Sequence, residues 1–140
     1  MFDRRARPLR IPLLLAVAVT GCGDADDGVI PEDPTLADVQ SLVFTPACAT
    51  AGCHDLNAAG GLDLSNEAQS RLFLIDVIPV NQLAKRSDWR RVVPGDVERS
   101  FLLRKVRQPG LGEGAPMPIT KALADPYVDL LERWIVRGAP

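Results

Sequence analysis

The chain has 140 residues, of which 46% are hydrophobic and 24% charged, and its formal net charge is −2 at neutral pH. This length suffices for one domain with one hydrophobic core. The 16 basic and 18 acidic residues nearly balance, so the basic surface that a nucleic-acid partner requires is not expected.

The first 22 residues have the order of features that marks an exported protein. A basic start, with four arginines between residues 4 and 10, precedes an apolar run over residues 11–20. About 10 apolar residues are too few to span a bilayer, so this run is typical of the core of a signal peptide and not of a membrane helix. The run ends in Val19-Thr20-Gly21-Cys22, which resembles the lipobox of bacterial lipoproteins, where the cysteine is acylated and becomes the new N-terminus. An ordinary signal peptide followed by an incidental cysteine is the alternative.

Processing at Cys22 would divide the chain into three parts. Residues 1–21 are the predicted lipoprotein signal peptide, residues 22–34 a lipidated flexible tether rich in Gly, Asp, Pro and Glu, and residues 35–140 the folded domain. Loss of four arginines and Asp3 with the signal peptide changes the formal charge from −2 to −5. The lipobox resemblance implies anchoring in the membrane through the acyl chains on Cys22, on the periplasmic face. Gly23, in a position where aspartate retains some lipoproteins at the inner membrane, favours the outer membrane.

Helical signals recur through the folded domain, without a convincing strand pattern or an internal repeat, and they predict an all-α fold. The first helix begins at Thr35, whose spacing to Asp38 is that of a capping box, and it ends at Pro46. A second helix runs over Asn66–Leu74, with Ser65 as its N-cap.

The stretch over residues 76–91 has an irregular pattern. Asp96 is the predicted N-cap of a third helix, which continues to about Arg107. A segment dense in glycine and proline follows over residues 109–120, and this composition predicts a loop.

The last helix has the clearest sequence signature. Asp125 is its predicted N-cap, Pro126 occupies the first helical position, and Gly138 lies beyond its end. Its apolar face is expected to pack against that of the first helix and so to bring the chain ends together. The two faces comprise Tyr127, Leu130, Leu131, Trp134 and Ile135 on the last helix, and Leu36, Val39 and Val43 on the first.

The segment from Cys48 to His54 carries the candidate chemistry. Once Cys22 is acylated, Cys48 and Cys53 are the remaining cysteines, in a compartment where free thiols do not persist. Two thiols followed directly by a histidine are the pattern of covalent haem attachment, in which the thiols bond the vinyl groups and the imidazole reaches the iron. Four small residues separate the cysteines where two are commonest, and Gly52 among them can adopt backbone angles closed to other residues. The ring nitrogen of His54 that faces away from the iron is expected to donate to a backbone carbonyl.

Three other interpretations compete with haem. Cys48 and Cys53 can form a disulfide that closes a small loop, with His54 an incidental surface residue. A structural zinc site needs four protein ligands, and the chain has no further His or Cys to complete one once Cys22 is acylated. Iron–sulfur ligation meets the same shortage. The motif alone therefore leaves haem and the disulfide open.

Met117 is the candidate second axial ligand of a haem iron. Apart from the initiator it is the sole methionine, and His54 is the sole histidine. It lies in Ala115-Pro116-Met117-Pro118, where two prolines restrict the backbone and suit a thioether held in one direction. A methionine that fills a gap beneath a loop is the alternative.

From about Val43 to the end of the chain, six stretches covering roughly 95 residues occur in this order: Phe44-Thr45-Pro46-Ala47-Cys48 through His54, Gly61-Leu62-Asp63-Leu64-Ser65, Val93-Pro94-Gly95-Asp96, Ser100-Phe101-Leu102, Met117-Pro118 and Trp134-Ile135-Val136-Arg137-Gly138-Ala139. In these stretches and their order the chain resembles the class I cytochrome c domains of bacterial lipoproteins, of the planctomycete and myxobacterial type. The resemblance implies a small all-α domain of three to five helices around one covalent haem c, with the N- and C-terminal helices packed together, His54 proximal and Met117 distal. The four-residue cysteine spacing departs from the commonest pattern of that family.

The resemblance implies an electron carrier and not an enzyme, with one iron that passes single electrons between transient redox protein partners. Two alternatives stay open. An open distal position, without Met117, would give a haem sensor or catalytic site, and a chain without haem would be a lipoprotein binding module with a Cys48–Cys53 disulfide. Trp89 either shields a haem edge or packs in the core. Candidates for the haem propionates, with a solvated basic face as the alternative, are Arg90, Arg91, Arg99 and Arg104.

Overall fold

The computed structural model describes residues 29–140, so the predicted signal peptide and Cys22 lie outside the described residues. Residues 29–140 contain helices and isolated bridges but no β-strand, and the predicted all-α class is confirmed for this part of the chain. A π-helix over Gln40–Cys48 continues the first helix directly, and a short 3-10 turn lies at Ala59–Gly61. The α-helices are α1 (Leu36–Val39), α2 (Glu67–Leu74), α3 (Gln82–Arg86), α4 (Phe101–Val106) and α5 (Asp125–Val136).

The apolar faces of α1 and α5 pack together, as the sequence predicts. Phe44 meets Trp134 edge to face, with ring centroids 6.3 Å apart. The backbone N–H of Leu36 and the indole N–H of Trp134 both donate to the carbonyl of Pro140, at 2.8 and 3.2 Å, so the two ends of the domain are joined. Tyr127 is half-buried at the margin of this core. The predicted face residues that are at most 1% exposed are Leu36, Val39, Val43, Leu130, Leu131, Trp134 and Ile135.

The chain already contacts α5 ahead of Thr35, where the sequence places the start of the domain. Ile30 packs against the core, and Arg133 donates to the carbonyl of Pro31 at 3.0 Å. Arg137 forms an ion pair with Asp33. The described end of the predicted tether therefore lies along α5.

The first helix does not end at Pro46, as predicted, but continues to Cys48. The chain changes from α to π geometry after Val39, and the N–H of Ala49 donates to the carbonyl of Phe44, five residues earlier, at 2.7 Å. In an α-helix a proline ring collides with the carbonyl four residues back. The wider turn of a π-helix changes which carbonyl lies opposite the ring, and the helix accommodates Pro46.

The third helix begins at Phe101, later than its predicted start at Asp96. The carboxylate of Asp96 accepts from the N–H of Arg99 at 3.1 Å, which is the expected cap contact. The hydroxyl of Ser100, however, donates to the carbonyl of Asp96 at 2.6 Å and accepts from the N–H of Val93 at 2.9 Å. A serine side chain that bonds the nearby backbone in this way replaces the hydrogen bonds of a helical turn.

The remaining boundaries differ from prediction in smaller ways. The N-cap of α2 is Asn66, one residue beyond Ser65, and that of α5 is Ala124, one residue before Asp125. Helix α3, capped by Asn81, interrupts the stretch predicted to be irregular, because five residues are too few to show a helical period. Within residues 29–140, no helix combines the length and the apolar character that a membrane crossing requires.

Candidate functional site

An apolar cavity of about 380 Å³ lies between the segment after the π-helix, helix α4 and the loop that follows α4. Its volume is in the range of small-molecule and cofactor sites, roughly 300–1,000 Å³. Polar and sulfur-bearing side chains reach it from several separate parts of the chain. Its apolar walls include Leu62, Leu64, Leu74, Phe101, Leu102 and Val106, and its other side chains include Cys48, His54, Arg91, Lys105, Glu113 and Met117.

His54 lines this cavity and is held by the backbone around it. Its Nδ1 lies 3.2 Å from the carbonyl oxygen of Leu62. A backbone carbonyl is the kind of partner expected from the sequence, which did not indicate the residue that supplies it. Because a carbonyl oxygen can only accept, Nδ1 is the donor in this contact. The backbone N–H of His54 donates to the carbonyl of Cys48 at 3.1 Å, and the backbone carbonyl of His54 accepts from the N–H of Leu64 at 2.7 Å. The backbone contacts and the Leu62 contact together fix the imidazole at the cavity wall.

The two cysteines of the motif have different environments. Cys48, the last residue of the π-helix, is half-buried and lines the cavity. Burial raises the pKa of its thiol to about 12, and the nearby Cys53 adds to this rise. Cys53 is exposed and is not part of the cavity wall, and both cysteines are free thiols in the structure.

The residues between the cysteines form a tight loop. The N–H of Cys53 donates to the carbonyl of Thr50 at 2.9 Å, and Gly52 has a φ of +80°, which the glycine makes accessible. The carboxylate of Asp55 accepts from the N–H of Gly52 at 3.2 Å and from that of Asn57 at 3.0 Å. These bonds lower the pKa of Asp55. The four-residue spacing is thus accommodated by a loop whose own hydrogen bonds hold it together.

Met117 reaches the same cavity from the glycine- and proline-rich loop. It is half-buried, and its N–H donates to the carbonyl of Lys105 at 2.7 Å. The predicted axial pair of His54 and Met117 therefore lines one cavity together with Cys48.

Of the four candidate arginines, Arg91 is the one that lines the cavity. It is 8% exposed, and its guanidinium donates to the carbonyls of Phe73 at 2.9 Å and Gly60 at 3.3 Å. Burial lowers the pKa of this guanidinium. Within residues 29–140, no carboxylate forms an ion pair with Arg91. The cavity wall therefore contains a buried cation that has only carbonyl partners among the described residues.

The other arginines have carboxylate partners outside the cavity or at its edge. Arg90 and Arg99 both pair with Asp88, at 3.0 and 2.8 Å. Arg104 pairs with the buried carboxylate of Glu113 at 2.7 Å and lies over the ring of Trp89. Trp89 packs against a neighbouring ring and is not part of the cavity wall.

Two charged residues of the cavity wall, Lys105 and Glu113, were not anticipated from the sequence. Lys105 lies on a helix whose pattern marks only the apolar residues as inward-facing. The available signal for Glu113 was a carboxylate between two glycines, Gly112 and Gly114, in a loop that needs an internal hydrogen-bond acceptor.

No group of three or more His, Cys, Asp or Glu side chains within residues 29–140 is arranged to hold a metal ion. No protein-family model, no curated protein and no solved structure matches the chain. The cavity instead combines a thiol, an imidazole, a thioether and a guanidinium, each from a different part of the chain.

Proposed function

We propose that the chain is a membrane-anchored c-type cytochrome with one covalent haem, which transfers single electrons between transient redox protein partners. The observation that carries the proposal is the convergence of Cys48, His54 and Met117 on one apolar cavity. A thiol, an imidazole and a thioether are the donors that a haem with His and Met axial ligands requires.

The cavity also suits the two ends of a haem. Its aliphatic and aromatic walls match the apolar porphyrin faces, and Arg91 offers a buried positive charge to a carboxylate. Cys53 directly precedes His54, a residue of the cavity wall, and it is exposed. The residues present therefore fit the group.

Each side chain has a distinct role under this proposal. Cys48 and Cys53 would supply the sulfurs of the two thioethers, and His54 and Met117 would bind the iron. Haem held by these two ligands supplies a centre that gains and loses one electron, and Met ligation raises its reduction potential. The hydrogen bond from Nδ1 to the carbonyl of Leu62 orients the His54 ring and fixes its tautomer.

The membrane anchor is proposed from the sequence, because Cys22 lies outside the described residues. Acylation of this cysteine would hold the protein at the periplasmic face of a bacterial membrane, with the outer membrane favoured. The segment that precedes α1 and lies along α5 would then connect the lipid to the folded domain.

A haem stain after denaturing electrophoresis tests the proposal directly. The full chain, expressed with cytochrome maturation machinery, is expected to give a stained band, and the double variant Cys48→Ala/Cys53→Ala is expected to give none. Cys22→Ser is the matched control, since it removes a thiol outside the motif and should keep the stain. A folded, unstained wild-type chain with a Cys48–Cys53 disulfide would refute the proposal in favour of a haem-free binding module.

The absorption spectrum of Met117→Ala tests the distal ligand separately. We expect the variant to lose the weak red absorption band of a methionine bound to ferric iron, while the stain persists. If wild type and variant have the same spectrum, Met117 does not bind the iron, and the open distal position of a sensor or catalytic site follows.

A further inference from the structure

The loop that carries Met117 is tied to two consecutive residues of α4. Lys105 accepts from the N–H of Met117 at 2.7 Å through its backbone carbonyl. Its ammonium donates to the carbonyl of Glu113 at 3.1 Å and also to that of Ala115. Arg104, the residue before it, binds the side chain of Glu113. The path of the loop is therefore set by α4 at three positions.

Both oxygens of the Glu113 carboxylate are used. Oε1 accepts from Nε of Arg104 at 2.9 Å and from Nη2 at 2.7 Å, while Oε2 accepts from the N–H of Gly110 at 2.9 Å. The side chain of Glu113 is 4% exposed. A buried carboxylate with charged and backbone donors on both oxygens is a strong and directional contact. It closes the loop between residues 110 and 113 and fastens it to α4.

Arg104 is itself held on the core. Its guanidinium lies 4.1 Å from the centroid of the Trp89 ring, and that ring stacks on Phe101 with centroids 6.0 Å apart and an angle of 20° between the planes. Phe101 is buried and also lines the cavity. A guanidinium held by an aromatic ring in this way cannot follow a moving loop without losing the cation–π contact.

The glycines on either side of Glu113 permit the close approach of the loop. Gly112 and Gly114 have φ values of +83° and +84°, in the left-handed region. A Cβ atom at Gly112 would lie 3.3 Å from the side chain of Leu83, and one at Gly114 would lie 3.4 Å from Nζ of Lys105. Asn81 adds a further tie, since its amide donates to the carbonyl of Gly112 at 2.9 Å.

We propose that the Glu113–Arg104 pair is a positioning device that holds the Met117 thioether at the cavity and opposes its displacement by other ligands. The proposal rests on the proposed function, because it concerns a haem iron that Met117 binds. Glu113 acts through the loop and not by contact with the iron, so it is a positioning residue. Loss of the Glu113 carboxylate should loosen the loop, while the bonds of the haem to Cys48 and Cys53 and the position of His54 are unchanged.

Glu113→Gln is the informative substitution, because it changes the charge and one donor–acceptor pattern at nearly constant shape. A carboxamide has one oxygen and one NH₂, so it cannot accept from both Arg104 and Gly110. The NH₂ group of the glutamine then faces either the guanidinium of Arg104 or the N–H of Gly110, and two donors cannot form a hydrogen bond. Glu132→Gln is the matched control, since Glu132 on α5 pairs with Arg107, the residue that follows α4, and neither residue lies on the loop that carries Met117.

Two measurements on the full chain test the proposal. Amide hydrogen exchange of Gly110 and Met117 should become about tenfold faster or more in Glu113→Gln, as expected for the loss of a charge-assisted contact, and should be unchanged in Glu132→Gln. Added imidazole, followed by the loss of the methionine–iron absorption band, should replace Met117 at a concentration lower by about tenfold or more in Glu113→Gln. If that variant does not fold, Arg104→Lys, which keeps the charge but loses the contact through two nitrogens, is expected to change both readouts in the same direction by less.

The outcomes separate the two proposals. Unchanged hydrogen exchange in Glu113→Gln overturns the proposal that the Glu113–Arg104 pair holds the loop, whether or not haem is attached. Faster exchange with unchanged imidazole displacement shows that the Glu113–Arg104 pair orders the loop without positioning Met117, and this result overturns the inference. A wild-type chain without a haem stain fails the proposed function, and that failure is seen before any variant is compared.

Discussion

Substitution of Arg91 by methionine is expected to affect the haem-loaded protein far more than the haem-free chain. The guanidinium is 8% exposed and has no carboxylate partner within residues 29–140, but it donates to the carbonyls of Phe73 and Gly60. In the haem-free chain, its removal leaves two carbonyls without these donors, at about 1–3 kcal/mol each. The substitution also removes a buried cation that has no carboxylate partner among the described residues, and this change stabilises the haem-free chain by roughly several kcal/mol. The net change in the free energy of unfolding should therefore lie within about 2 kcal/mol of zero.

In the haem-loaded protein the effect of the same substitution depends on whether the bound group pairs with Arg91. If a haem propionate pairs with Arg91, the variant keeps the buried carboxylate and loses its cation, which costs about 3–5 kcal/mol. The loss on substitution should thus be larger in the loaded than in the haem-free protein by about 3 kcal/mol. Urea unfolding of both forms, followed by far-ultraviolet circular dichroism, measures this difference.

Arg90→Met is the control for this experiment. Arg90 precedes Arg91 in the chain but pairs with Asp88 at the surface, at 3.0 Å, so both forms should lose less than about 1 kcal/mol. An equal loss for Arg91→Met in the loaded and haem-free proteins would refute the pairing of Arg91 with the bound group.

Two further predictions concern the scaffold. Phe44→Ala removes a ring with no exposed surface and its edge-to-face contact with Trp134, so we expect the free energy of unfolding to fall by about 3–5 kcal/mol, and a loss below about 1 kcal/mol in urea unfolding would contradict the packing of the π-helix on α5. The pKa values of Asp38 and Glu113 are lowered, chiefly by hydrogen bonds from Thr35 and Arg104, so the stability that they contribute is present above their unfolded pKa values and is lost as the pH falls through their folded ones. The urea midpoint should therefore fall as the pH is lowered below about 4, and it should fall less steeply in Glu113→Gln; equal slopes in both proteins would contradict the role of Glu113.

Local signals in the sequence predicted the helices well where one segment contained the whole signal. The Thr35–Asp38 capping box is present, with both reciprocal contacts, and α5 has the predicted apolar face. The predictions were wrong where a side chain or a different helical geometry competed with the local rule. Pro46 is accommodated by a π-helix. The hydroxyl of Ser100 bonds the carbonyl of Asp96, and this bond takes the place of the backbone hydrogen bonds in the first turn of the helix expected from Asp96.

The candidate site could be predicted in part. The adjacency of Cys53 and His54, and the isolation of Met117 between two prolines, are visible in the chain. The sequence did not show which of the four candidate arginines lines the cavity. Arg91 differs from the others only in what it contacts, and those contacts appear only in the folded chain. The use of Glu113 to hold the loop depends on Arg104, and no local pattern relates these two residues.

The sequence by itself therefore determined the features that depend on neighbours in the chain: the cap at Thr35, the amphipathic pattern of α5, and a thiol directly followed by an imidazole. Only the tertiary structure decided which distant side chains share the cavity. Cys48, Arg91 and Met117 meet there because α1 and its π-helical continuation pack on α5, and because α4 holds the Met117 loop. Contacts of this kind join residues many positions apart, so they depend on the packing of whole elements and not on the periodicity within one of them.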